Sequence, residues 1–363
     1  MMAFSTCTAS TDPSPSSSFI AKASKALLIA LCFNYSVATA KPFDFDSLNF
    51  WSSSPPADIK PTINNVTYSG NPIFPGWYAD PDPRIFEGQY WIYPSLSLDY
   101  DKQTSFDAFS SPDLVNWTRH ARILDFANVT WSTNRAAWAP TVTEKHGVYY
   151  MYFSAGDGAG IGVAVSRTGP AGPFIDALDE PLIPDVEMGA EPIDPDVFID
   201  DDGRAYLLWG GWSHGLGAEL SWDMISLKAQ PVELTPPNYV EAPYMIKRNG
   251  TYYYMYSVGG WGDNSYGVEY VTSTTSPLGP FTTAATHILF PDAKIAQGTG
   301  SSGVLNIPGT DDWYIVYHRR PLDDTAANDR YVCIDKMEFN PDGSIKRINI
   351  TNEGAPYTPL VAF

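Results

Sequence analysis

The chain has 363 residues and a formal net charge of −19. A surface that acidic repels nucleic acid and anionic membranes, so neither is an expected partner. Hydrophobic residues make up 44% and aromatics 14%, with 31 prolines and 28 glycines. That balance carries a core but favours short strands and turns over long helices, in one large all-β domain or two smaller ones.

The first forty residues read as a leader. Lys22 and Lys25 precede an apolar stretch from Ala26 to Val37, followed by the small residues Ala38-Thr39-Ala40. This is the layout of a secretory signal peptide, and the stretch is too short to span a bilayer comfortably. Residues 1–40 are therefore expected to be removed on export, leaving a secreted, extracellular protein. Cys7 and Cys32 would leave with the leader, so Cys333 has no partner for an internal disulfide. Sequons follow at Asn65, Asn116, Asn128, Asn249 and Asn349 and fit a secreted glycoprotein. Residues 41–69, rich in Ser, Pro and Asp, read as a linker or loose arm. Residues 70–363 read as one domain.

Within that domain a pattern recurs five times: a polar or glycine-containing turn, then a run dense in Tyr and Trp. The runs are Gln89–Tyr93, Val148–Tyr152, Ala205–Trp209, Thr251–Met255 and Trp313–Tyr317, and their starts differ by 59, 57, 46 and 62 residues. Repeats of this length with strand composition predict propeller blades. Each unit opens with a hairpin whose turn carries glycine, as in Glu87-Gly88, His146-Gly147, Asp202-Gly203 and Asn249-Gly250. The fold class expected is all-β, a five-bladed β-propeller in a single domain.

The turn glycines provide a ruler between blades. Asp80 lies eight residues before Gly88, Asp194 nine before Gly203 and Glu241 nine before Gly250, while Ala139 lies eight before Gly147. A proline follows closely each time and stiffens the entrance of the inner strand. Inner strands start near the propeller axis, so these three carboxylates are expected to converge. Crowded like charges raise the pKa of at least one of them. A protonated acid facing an ionised base is what glycoside hydrolysis needs. Asp82 and Asp196 lie two residues further on, on the same strand faces, and spacing leaves them as rivals of Asp80 and Asp194.

The stretch Asn71-Pro72-Ile73-Phe74-Pro75-Gly76-Trp77-Tyr78-Ala79-Asp80-Pro81 resembles the opening of glycoside hydrolase family 43. Ile193-Asp194-Pro195-Asp196, Val240-Glu241-Ala242-Pro243-Tyr244, Trp138-Ala139-Pro140 and Trp313–Arg319 are similar to later signatures of that family, so the resemblance covers about 71–345. It implies a five-bladed propeller and an inverting hydrolase of arabinose- or xylose-containing plant cell-wall polysaccharides. By resemblance Asp80 is the general base, Glu241 the general acid, and Asp194 the residue that tunes the acid and orients substrate. Asp80 and Asp194 are favoured over their rivals on the same ground.

Trp138 and Arg330 are candidate substrate contacts, with a core tryptophan and a surface charge as the alternative readings. Trp77, Trp131 and Trp212 are further candidates for the pocket wall. One departure concerns the axis, where many relatives place a histidine after Gly-Thr-Gly, associated with a calcium or sodium ion. Here Gly298-Thr299-Gly300 is followed by Ser301-Ser302, which puts a central ion in doubt. No cofactor is expected, and His318 reads as structural. The expected function is an exo-acting α-L-arabinofuranosidase, active as a monomer. β-Xylosidase or endo-arabinanase activity is the alternative within the family, and a non-catalytic carbohydrate-binding propeller the alternative outside it.

Overall fold

A computed structural model describes residues 60–360, and within them the elements are strands joined by turns and short 3-10 segments. A small hairpin, β1 (Thr62–Ile63) with β2 (Val66–Thr67), comes first. Blade I contains β3 (Tyr78–Phe86), β4 (Gln89–Leu96), β5 (Ser105–Ser111) and β6 (Thr118–Asp125). Blade II contains β7 (Ala137–Lys145), β8 (Val148–Ala155), β9 (Gly160–Ser166) and β10 (Ile175–Asp176). Blade III contains β11 (Asp196–Ile199), β12 (Ala205–Trp209), β13 (Leu216–Glu219) and β14 (Val232–Glu233). Blade IV contains β15 (Glu241–Arg248), β16 (Thr251–Val258), β17 (Gly267–Ser273) and β18 (Thr286–Leu289). Blade V contains β19 (Gln297–Asn306), β20 (Trp313–Arg320) and β21 (Tyr331–Met337). Each blade is an antiparallel meander, and the five form a ring: a five-bladed β-propeller.

The aromatic runs are the second strands β4, β8, β12, β16 and β20. They read as unbroken apolar runs because a propeller blade is buried on both faces. Along β16, Tyr252, Tyr254 and Tyr256 face blade III, whereas Tyr253 and Met255 face blade V. That alternation is the period of two of a strand, with both phases apolar. The core is accordingly five clusters, one at each junction between neighbouring blades.

The ring closes beside blade V, where residues 69–73 run along β21. The Asn71 side chain accepts the Ile334 N–H at 2.8 Å and donates to the Ile334 carbonyl at 3.1 Å. Ile73 N–H donates to the Val332 carbonyl at 3.1 Å. Residues 60–69, which sequence assigns to a loose arm, carry β1 and β2 and are tied to the chain's C-terminal segment. Tyr357 N–H donates to Thr67 O at 2.7 Å and Ser69 N–H to Ala355 O at 2.8 Å. The expected leader and residues 41–59 lie outside the described residues. The five sequon asparagines are exposed.

Candidate active site

All five inner strands begin with the same backbone device. Asp80, Ala139, Asp194, Ala242 and Ser301 each adopt a left-handed φ, between 42° and 54°. In blades I, II, IV and V the strand pairing skips at this point, which marks a β-bulge. Bulges and left-handed non-glycine residues cost free energy and persist only where neighbours hold them. Here the neighbour is the second strand of the preceding blade. Ser95 Oγ accepts the Ala139 N–H at 2.7 Å, Ser154 Oγ that of Asp194 at 2.9 Å, and Ser257 Oγ that of Ser301 at 2.9 Å. His318 fills this role in blade V, its Nδ1 accepting the Asp80 N–H at 3.2 Å. Blade III has Gly210 at the matching place, and Asp194 Oδ2 instead accepts the Ala242 N–H, at 3.1 Å.

This ring corrects one expectation. Asp80 and Asp194 are equivalent, but Glu241 stands one position earlier. It pairs with Ser257 as Ala79 pairs with Ser95 and Trp138 with Ser154. The ruler was misled by the longer turn of blade III, where residues 200–204 separate the strands, against a two-residue turn in blades I, II and IV.

The axial pocket is lined by matching positions of the five strands, including Asp80, Asp194, Ala139, Ala242 and Ser301. Asp80 and Asp194, at the left-handed positions, are only half-buried, as is Glu241. Their rivals line the same pocket but are more deeply buried, Asp82 5% and Asp196 2% exposed, and both are bound by Arg84. Asp82 also accepts the Val142 N–H at 2.8 Å and Asp196 that of Met245 at 2.9 Å. Geometry thus separates the pairs that spacing leaves open.

The three open acids differ in charge state. Burial is the largest single influence on Asp80 and opposes its ionisation, but the Arg330 guanidinium 3.5 Å from its Oδ1 and the contacts with His318 and Ser95 together outweigh it and hold Asp80 well below the usual carboxylate range. Burial pushes Glu241 up to about 7, against the opposing hydrogen bond from the Tyr266 hydroxyl at 2.8 Å. Burial also raises Asp194, and the charges of Glu241, Asp80 and Glu191 raise it further. Asp194 and Glu241 therefore titrate as a pair that retains a proton near neutrality. The Tyr266 ring is stacked on His318 at 5.7 Å, so one aromatic contact connects the partners of Glu241 and Asp80. Burial pushes His318 down to about 4, leaving it a neutral ring that can accept from Asp80. The structural role expected for His318 takes specific form here.

Trp138 is half-buried beside the pocket, its ring edge-on to Tyr100 at 5.0 Å and its Nε1–H bound to Gln103. Gly156 leaves room for it, because a Cβ there would lie 2.5 Å from the indole. Arg330 is not a surface charge: it is 8% exposed, bonded to Ser97 at 2.9 Å and stacked 5.0 Å over Trp261. Trp77 is 5% exposed in the cluster between blades IV and V, tilted against Tyr331, so the structure makes it a packing residue rather than pocket wall. Trp131 packs on Phe153 and donates to Asp176 at 2.8 Å. Trp212 alone among these is open, at 61% exposure. Its neighbour Ser213 bonds the carbonyl of Val240, next to Glu241. Sequence reasoning missed Tyr266, Glu191 and Trp261. The last had a signal: Gly259-Gly260-Trp261 repeats Gly210-Gly211-Trp212 after successive second strands. Among the described residues no group of three or more His, Cys, Asp or Glu is arranged to hold a metal ion.

The family model for glycosyl hydrolases family 43 matches residues 69–345. The chain belongs to glycoside hydrolase family 43. A β-D-galactofuranosidase of Aspergillus niger is 54% identical over 312 residues, spanning 83% of this chain and 91% of that protein. An arabinoxylan arabinofuranohydrolase of Bacillus subtilis is 32% identical, over 74% of this chain and 62% of its own length. In structure, the family 43 propeller superposes on an α-L-arabinofuranosidase of Clostridium thermocellum with a TM-score of 0.63. That enzyme is 31% identical, covering 76% of this chain and 95% of its own. The protein is thus a glycoside hydrolase with a carbohydrate substrate.

Proposed function

We propose that this family 43 protein is an exo-acting, inverting furanosidase that removes terminal β-D-galactofuranosyl residues. The observation carrying this reading is the split in charge state across the pocket: Asp80 kept ionised beside Arg330, Glu241 kept protonated up to about 7. Asp80 takes a proton from a water that attacks the anomeric carbon. Glu241 gives its proton to the departing glycosidic oxygen on the opposite face, and the configuration inverts. Asp194 fixes the backbone next to Glu241 through the Ala242 N–H and shares its proton. The sugar choice is supported by the 54% identity to a galactofuranosidase.

An α-L-arabinofuranosidase is the second reading, favoured by the arabinofuranosidase whose structure is similar over most of both chains. The two substrates share ring stereochemistry. The galactofuranosyl ring is the arabinofuranosyl ring with one CHOH added to its exocyclic arm, so a pocket built for one admits the other unless that arm is sensed. On the second reading the substrate is an arabinose-containing plant polysaccharide. Export as a glycoprotein remains part of the proposal, supported by the leader-like residues 1–40 and the exposed sequons. The test is kcat/KM on the p-nitrophenyl β-D-galactofuranoside, α-L-arabinofuranoside and β-D-xylopyranoside. We expect cleavage of both furanosides, with the galactofuranoside preferred, and little of the xyloside. Preference for the xyloside, or inertness to both furanosides, refutes the assignment.

A further inference from the structure

Two residues further along each inner strand, the same axial pocket is lined by Asp82, Thr141, Asp196 and Tyr244, with Gly303 at the matching position of blade V. They pair with Tyr93, Tyr152, Leu208, Met255 and Val316 of the second strands. Arg84, from blade I, reaches four of these five. Its guanidinium meets Asp82 at 2.9 Å, Thr141 Oγ1 at 2.7 Å and Asp196 Oδ1 at 3.0 Å, and lies 5.6 Å from the Tyr244 ring centre. The fifth position has no side chain, and Pro83 and Tyr244 fill its space. A group that touches four blades in one layer lies on the propeller axis. The side chain is 19% exposed and its acid partners 6% and 3%, so these contacts are little screened.

The carboxylates that the axis offers a cation are therefore already paired. Asp82 Oδ2 and Asp196 Oδ2 accept backbone N–H groups of blades II and IV, while Asp82 Oδ1 faces the Arg84 guanidinium at 2.9 Å without a hydrogen-bond partner. Above them stand Ser301 and Ser302, which bring no charge. A calcium or sodium ion entering here would meet the fixed positive charge of Arg84. The residues present do not fit a resident ion.

We propose that Arg84 is the built-in axial cation of this propeller, a positioning residue that locks the inner strands together and makes the acid geometry independent of a bound metal. The route to the site is short. Asp80 and Asp194 lie two residues before Asp82 and Asp196 on the same chain segments, across the left-handed turn. Whatever fixes the lower pair fixes the roots of the upper pair. The inference rests on the active-site reading above only for its catalytic consequence.

The experiment compares wild type, Arg84→Met and Arg84→Lys by thermal melting and by kcat and KM on the aryl furanosides. Each is measured with EDTA, with calcium, with sodium and with methylguanidinium. Wild-type melting and kcat are expected to be unmoved by chelator or either metal. Arg84→Met is expected to lose kcat by about 100-fold, the cost of misplacing catalytic groups by roughly 1 Å, with KM little changed. Methylguanidinium or calcium should restore part of both its melting temperature and its kcat. Arg84→Lys keeps the charge but not the fork that bridges three partners. It should fold and recover kcat only in part.

A wild type that loses stability or turnover on chelation overturns the proposal. So does an Arg84→Met enzyme with wild-type kcat. Should Arg84→Met not fold, the wild-type titration and Arg84→Lys decide, and full kcat in Arg84→Lys without any added cation counts against a bridging role. The melting arms need no substrate. A protein inert on every furanoside, whose Arg84→Met variant is stabilised by methylguanidinium, would remove the active-site reading and leave the axial cation standing.

Discussion

Replacing Arg330 by glutamine tests why Asp80 is ionised. The guanidinium lies 3.5 Å from Asp80 Oδ1, with side-chain exposures of 9% and 14%. At an effective dielectric of about 20, unit charges at that separation attract by roughly 4 to 5 kcal/mol, or about 3 pKa units. Water entering the space left by the shorter side chain screens the pocket, and arginine next to aspartate typically accounts for 1 to 3 units, so we expect a rise of about 2. The sign follows from the role. The proposed mechanism needs Asp80 ionised, so on it activity disappears as pH falls through the Asp80 pKa. In wild type that limb lies well below the usual carboxylate range, and kcat/KM should stay level down to acid pH. In Arg330→Gln the limb should enter the measurable window, at about pH 3 to 4. The assay is the pH profile of kcat/KM on an aryl furanoside, with folding checked by circular dichroism at each pH. A variant depressed by one factor at every pH, without a new acid limb, would refute the electrostatic role given to Arg330.

Glu241→Gln removes the proposed proton donor and should lower kcat by about 10²- to 10⁴-fold while product still binds in calorimetry. Unchanged turnover would favour a propeller that only binds sugar. Tyr266→Phe deletes the hydrogen bond that stabilises ionised Glu241, so the alkaline limb, near 7 in wild type, should move upward by about half a unit to one unit. A downward shift contradicts that reading. Gly300→Ala would put a Cβ 2.2 Å from the Tyr266 ring. It should cost about 1 to 3 kcal/mol of stability in denaturant melts and reduce kcat more than KM. A fully active, fully stable Gly300→Ala protein would mean that the Tyr266 ring is not held as described.

The blades were legible because strand alternation and turn chemistry are local. Tyr252–Tyr256 announce a strand buried on both faces, and Asn249-Gly250 announces its turn. Convergence of the acids was legible from repeated spacing, but the one-residue offset of Glu241 was not. Bulges and the longer turn of blade III change the count without changing composition. The separation of Asp80 from Asp82, and of Asp194 from Asp196, was legible only by resemblance. Its physical cause is non-local: Arg84 draws the lower pair inward from a distance of 112 residues in the case of Asp196. The serines holding the left-handed residues had a local signal that went unread. Ser95, Ser154 and Ser257 each follow their turn glycine by seven residues. Trp77 and Trp212 look alike in sequence, and only the packing of blades IV and V buries one and leaves the other open.

The central claim is that Asp80 and Glu241 act on opposite faces of a furanosyl ring. The most direct measurement is proton NMR of the first-formed anomer during hydrolysis of an aryl β-D-galactofuranoside by wild type. The account predicts α-galactofuranose first, with Glu241→Gln producing none. β-Galactofuranose as the first product would contradict it, since retention requires a covalent glycosyl-enzyme intermediate that this division of roles does not provide.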